Sequence, residues 1–161
     1  MWNGSLHRKL ATPVGAGFLL LSLSPPQTAV AAADNAGRHM GTEEQATRSV
    51  IERFNETFNR HDANALGALL TEDTVFEDTS PAPDGRRIEG RSAVVEFWRE
   101  WFAHNADARF EAEEIIVSGN RAVVLWVYHK MRNGRPWHLR GVDVFTVRDG
   151  RVAAKLAYVK G

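Results

Sequence analysis

Between Ala108 and Val159 the chain passes four times through a period of two: ARFEAEEIIV, RAVVLWVYHKM, WHLRGVDVFTV and RVAAKLAYV. Asn133-Gly134 and Asp149-Gly150 separate the last three runs. Both dipeptides favour the positive φ angles of a two-residue hairpin turn. Strands joined this closely pair antiparallel, because a parallel pairing needs a crossover of a dozen or more residues. The C-terminal half is therefore a meander, and one face of it must be covered by something apolar.

The residues that can cover it lie upstream. From Glu43 to about His61, Val50, Ile51, Phe54 and Phe58 recur at helical spacing, and Thr42 with Gln45 fits a capping box at the start. Asp62 can cap a second, shorter helix through Leu70 that buries Leu66, Leu69 and Leu70. TVFEDT, 74–79, reads as a strand, and SPAPDGRR after it as a loop with Pro and Asp-Gly turn chemistry. Ser92 can cap a third helix through about His104, with Val94, Val95, Trp98, Trp101 and Phe102 in one apolar stripe. The order is helices first, then a meander. It predicts an α+β fold: three N-terminal helices packed on one face of a strongly curved, mostly antiparallel sheet.

The 161 residues suffice for one domain, expected over 42–161. Residues 1–41 read as a leader. His7, Arg8 and Lys9 precede the apolar LATPVGAGFLLLSLS, and small-residue cleavage sites follow after Ala31 or Ala33. The apolar run is too short to cross a membrane as a helix. A secretory signal would make the mature protein secreted or periplasmic. The other reading is an untargeted extension with Met40 as the start, and a cytoplasmic protein.

Charge and composition narrow the function classes. Lys plus Arg and Asp plus Glu both number 20, for a net charge of zero, which argues against nucleic acid as the main partner. Cysteine is absent, so no disulfide, thiolate metal site or cysteine nucleophile exists. His104, His129 and His138 fall on different elements with no metal-ligand spacing, so neither metal nor cofactor is expected. No Gly-rich phosphate loop or G-x-S-x-G elbow occurs. The EAEE run, 111–114, reads as a solvated strand face.

Two aspartates stand out against this background. Asp143 shares its strand face with Leu139, Gly141, Phe145 and Val147, whereas His138, Arg140, Val142, Val144 and Thr146 take the other face. Asp78 shares a face with Phe76. Both carboxylates are thus expected to point into one apolar interior, where an ionised carboxylate is costly unless paired or hydrogen-bonded. Two carboxyl groups in different environments form a natural acid/base pair. The alternative is that each accepts from a backbone amide or pairs with Arg86, Arg87 or Arg140. Phe54, Phe76, Trp98, Trp101 and Trp126 are candidates to line a pocket for a flat apolar ligand, with the hydroxyl of Tyr158 entering it.

IERFNETFNRHDANALGALL leading into TEDTVFEDTSP, followed by EGRSAVVEFW, RGVDVF and the ending DGRVAAKLAYVKG, resembles the NTF2-like superfamily over residues 43–161. Ketosteroid isomerases and SnoaL-like polyketide cyclases share that fold. The resemblance implies a cone-shaped pocket and cofactor-free isomerase or cyclase chemistry. In ketosteroid isomerase, a worked case of pKa tuning, an Asp base acts beside a Tyr and a protonated Asp. The resemblance puts Asp78 at the base and Asp143 at the protonated acid, and puts Phe54, which has no donor, at the tyrosine. It also implies a homodimer through the outer sheet face, and leaves open a non-catalytic ligand-binding or dimerising module. The Asp-Arg-Asp arrangement of limonene-type epoxide hydrolases is disfavoured, because Arg140 and Asp143, three apart, face opposite sides.

Overall fold

The computed structural model describes residues 41–160. The leader expected over 1–41 lies outside the described residues except for Gly41. Three helices, α1 (Thr42–Asn59), α2 (Ala63–Ala68) and α3 (Arg91–His104), pack on a six-stranded curved sheet. Its strands are β1 (Leu70–Glu77), β2 (Arg87–Glu89), β3 (Arg109–Ser118), β4 (Arg121–Arg132), β5 (Arg135–Arg148) and β6 (Arg151–Val159), in the spatial order β2-β1-β6-β5-β4-β3. All neighbours are antiparallel except β1 and β6, which run parallel. Among the described residues, no helix is long and apolar enough to cross a membrane.

The helices form where the apolar spacing places them, with differences at their ends. Gly41, not Thr42, is the N-cap of α1, and its N–H donates to Glu44 Oε2 at 3.1 Å. Asp62 caps α2 by accepting from the Ala65 N–H at 2.9 Å. That helix stops at Ala68, so Leu70 starts β1 instead of ending a helix. Helix α3 begins at Arg91 behind Gly90, which places Ser92 inside the helix. Strand β2, which the sequence reading did not anticipate, starts at the last residue of the expected loop; it is only three residues long and pairs Ile88 with Phe76.

The meander follows its turns. Asn133, Gly134, Asp149 and Gly150 all take positive φ (52°, 74°, 53° and 70°), so both two-residue hairpins close as their dipeptides require. The core lies between the helices and the concave sheet face. Ile51, Phe54, Leu66, Phe76, Val124, Phe145 and Val152 are all buried there. Aromatic edges interlock within it: Phe54 meets Phe145 at 5.4 Å, and Phe58 meets Trp98 at 4.8 Å, both T-shaped. Burying one such side chain stabilises by roughly 1.5–3 kcal/mol relative to exposure.

One irregularity decides which side chains reach the interior. Thr146 pairs with Ala154 but Val147 pairs with Val152, so Ala153 is an extra residue on β6. This bulge turns the strand by one position. Val152 and Lys155, three apart, are therefore both buried on the concave side. Strict alternation from Val152 puts Tyr158 on the concave face. The bulge puts it outside, 51% exposed, and the expectation that its hydroxyl enters the cavity fails for that reason.

Candidate functional site

An open cavity of about 470 Å³ lies on the concave side, between α3 and the sheet. Its floor comes from β1, β5 and β6, which supply Phe76, Asp143 and Lys155. One wall is Trp98 and Trp101 of α3, and it adjoins a second made by Phe110, Trp126 and Tyr128 of β3 and β4, where Trp101 meets Tyr128 at 5.9 Å. The walls form because Phe110 pairs with Tyr128, Ala112 with Trp126 and Trp126 with Gly141, all on the same sheet face. Asp78, just past the end of β1, also lines it.

Both aspartates therefore border one cavity, in different settings. Asp78 is 18% exposed. Its Oδ1 accepts from the Thr79 N–H at 2.7 Å, and its Oδ2 lies 3.6 Å from the guanidinium of Arg86. The Asp78 N–H donates to the Arg86 carbonyl at 2.9 Å, so the loop after β1 folds back onto the strand end. Gly85 (φ 75°) makes that return turn, and an added Cβ there would lie 1.7 Å from the Asp78 carbonyl oxygen. Asp143 sits deeper, its side chain 6% exposed.

Asp143 is paired, but with Lys155 and not with any of the arginines that the sequence offers. Lys155 Nζ lies 2.8 Å from Asp143 Oδ2, and the lysine side chain is 9% exposed. The same ammonium stands 5.1 Å from the ring centre of Phe76, 5.8 Å from Trp98 and 5.7 Å from Phe145. A buried ion pair held among aromatic faces is the polar centre of the cavity floor. Arg140, the other cation near Asp143 in sequence, faces outward and pairs with Glu113 at 2.5 Å.

Lys155 is the site residue that sequence reasoning missed. The signal was present: a lone lysine in AAKLA, inside an otherwise apolar strand. The bulge at Ala153 hid which way it points.

The mouth is held by Asn105, the C-cap of α3. Its Oδ1 accepts from Lys130 Nζ at 2.8 Å and from the Tyr128 hydroxyl at 3.3 Å, and its Nδ2 donates to the Trp101 carbonyl at 2.8 Å. Burial first, then the charge of Asp107, pushes the Tyr128 phenol up to about 12, so it stays a hydrogen-bond donor at neutral pH.

Of the residues singled out in sequence, Asp78, Asp143, Phe76, Trp98, Trp101 and Trp126 all border the large cavity. Phe54 does not. It is 1% exposed on α1 and borders only a smaller void of about 30 Å³ behind Asp143. Tyr158 borders a groove with Leu125, Arg140 and Val142 on the outer side. Among the described residues, no three His, Cys, Asp or Glu side chains are placed to hold a metal ion.

Known proteins match this architecture. The profile of the SnoaL-like domain matches residues 51–155. An NTF2-like protein of unknown function from Mesorhizobium loti is 39% identical, with a TM-score of 0.67 over 76% of this chain and 98% of that one. A candidate polyketide cyclase from Xanthomonas campestris pv. campestris is 26% identical, with a TM-score of 0.60 over 74% of this chain and 93% of that one. A candidate ketosteroid isomerase from Kribbella flavida DSM 17836 shares the fold at 23% identity, with a TM-score of 0.64 over 76% of this chain and 83% of that one. No curated protein matches the chain. The chain belongs to the SnoaL-like domain family, within the NTF2-like fold.

Proposed function

We propose that the cavity binds a small, flat, apolar carbonyl compound and catalyses a cofactor-free proton transfer on it, of the isomerase or cyclase type. The observation that carries this reading is the joint presence of Asp78 and the Asp143–Lys155 pair on one aromatic-walled cavity. Asp78 removes a proton from the carbon next to the carbonyl. The electron pair moves onto the carbonyl oxygen, and the Lys155 ammonium stabilises the enolate oxygen that forms. Returning the proton from Asp78 to another carbon completes an isomerisation. Lys155 thus supplies the donor that Phe54 lacks, and Asp143 orients it. The aromatic walls favour planar ligands.

A second reading is a ligand-binding module without turnover. The contacts of Asp78 with Arg86 and the Thr79 N–H favour it, because both carboxylate oxygens already have partners in the protein. Either reading is compatible with a homodimer. The outer sheet face carries the cross-strand row Ile116, Val123, Val144 and Leu156, beside Leu125 and Val142.

Native mass spectrometry of the protein purified from its own host tests the ligand. A retained small molecule is expected, lost when Ala157, which lines the cavity, is replaced by Phe. If wild-type protein retains nothing and no planar carbonyl compound binds in titration, the reading is wrong. Turnover with Asp78→Asn separates the enzyme from the module.

A further inference from the structure

Behind Asp143 lies a second, smaller void of about 30 Å³. It shares Trp98, Phe110, Trp126, Asp143 and Lys155 with the large cavity, so it is a recess of the same site. Three of its lining residues carry buried polar atoms with no protein partner: Asn55 Nδ2, Trp126 Nε1 and Asp143 Oδ1. Buried polar atoms are nearly always hydrogen-bonded, and leaving three unmade in one place is costly.

The three atoms are chemically complementary. Asn55 Nδ2 and Trp126 Nε1 are donors, whereas the carboxylate oxygen of Asp143 is an acceptor. Oxygen bearing one hydrogen toward the carboxylate satisfies all three, accepting two hydrogen bonds and donating one. The recess volume suits one such oxygen, since a water needs about 10–15 Å³ of this kind of space. A carbonyl oxygen satisfies only the donors and repels the carboxylate. An ammonium satisfies only the acceptor.

We infer that this recess is a hydroxyl-binding subsite, built by Asn55, Trp126 and Asp143, that takes an O–H oxygen from water in the free protein and from a phenolic or enolic hydroxyl of the bound ligand. The inference rests on the cavity reading for the ligand arm and stands apart from it for the water arm. It narrows the ligand class to flat molecules with a hydroxyl at the edge that enters first. The subsite also links ligand recognition to the ion pair, because one carboxylate holds Lys155 through Oδ2 and the hydroxyl through Oδ1.

The test uses crystal structures of the free protein and of its complex with 2-naphthol, and fluorescence titrations of 2-naphthol and 2-methylnaphthalene. Expected is an oxygen within hydrogen-bond distance of Asn55 Nδ2, Trp126 Nε1 and Asp143 Oδ1. It belongs to water in the free protein and to the naphthol in the complex. Wild-type protein should prefer 2-naphthol by about tenfold, the scale of a hydrogen bond to a charged group. Asn55→Leu and Trp126→Phe should each reduce that preference severalfold, and using two variants guards against one failing to fold. Water alone at the three atoms supports the subsite with solvent as its occupant. No oxygen at the three atoms in either crystal overturns it, as does a naphthol preference that both variants leave unchanged. Failure of both naphthalenes to bind while water occupies the recess counts against the ligand class proposed above and leaves the subsite standing.

Discussion

Lys155 and Asp143 are each expensive to bury alone. Together they are compensated by a 2.8 Å contact and by three aromatic faces. Replacing only the lysine leaves a carboxylate in an apolar setting without a partner. Lys155→Met is therefore expected to destabilise the fold by about 3–5 kcal/mol in urea denaturation, and adding Asp143→Leu should recover most of that loss. A single variant as stable as the wild type would mean that the pair is not the compensated unit described here. At this scale the sequence was only partly legible. Asp78 and Asp143 were readable because a carboxylate between apolar neighbours at period two is conspicuous. Asn55 also left a trace: it stands four residues after Ile51 and three before Phe58, on the buried stripe of α1. Neither its free donor nor the tie between Asp143 and Lys155 was readable, because the first depends on how α1 packs on the distant β4 and β5, and the second on the bulge that sets the facing of β6.

Elements were more legible than residues, since periodicity and turn chemistry are local. Both hairpins, the apolar stripe of α1 and the stripe of α3 follow from spacing alone. What escaped were the places where tertiary pairing overrides local pattern: the short β2, held only by β1, and the bulge in β6. The bulge shows how much one inserted residue matters. Without the bulge, alternation from Val152 would aim Tyr158 inward and Lys155 outward. A second close fit sits on β5, where Gly141 lies opposite Trp126. A Cβ at Gly141 would fall 2.2 Å from the Tyr158 carbonyl oxygen and 2.3 Å from the Trp126 ring. Gly141→Ala is therefore expected to displace the indole from the cavity wall, lowering thermal stability and changing tryptophan emission. Unchanged emission and unchanged melting temperature would show that the wall adjusts at no cost.

For the whole molecule, the curved sheet presents two different faces. Its concave side holds the cavity, and its convex side carries the apolar row Ile116, Val123, Val144 and Leu156 between charged pairs such as Arg140–Glu113. If the convex face joins two copies, light scattering should give a dimer mass, and Val144→Glu should give a monomer with an intact cavity. A wild-type monomer at micromolar concentration would assign that face another role. The fold class was legible because helices followed by a tight meander leave few ways to cover the sheet. The ligand was not, because a cavity is made by curvature, and curvature is not a property of any one segment.

The central claim is that Asp78 moves protons on a bound carbonyl compound while Lys155 holds the oxygen. It is tested most directly by hydrogen–deuterium exchange at the α-carbon of 2-tetralone in D2O, followed by NMR. Wild-type protein is predicted to accelerate exchange over buffer. Asp78→Asn should lower that acceleration by about a hundredfold or more with binding of the ketone unchanged, the scale of a lost general base. Exchange no faster than buffer, or full acceleration in the Asp78→Asn variant, would contradict it.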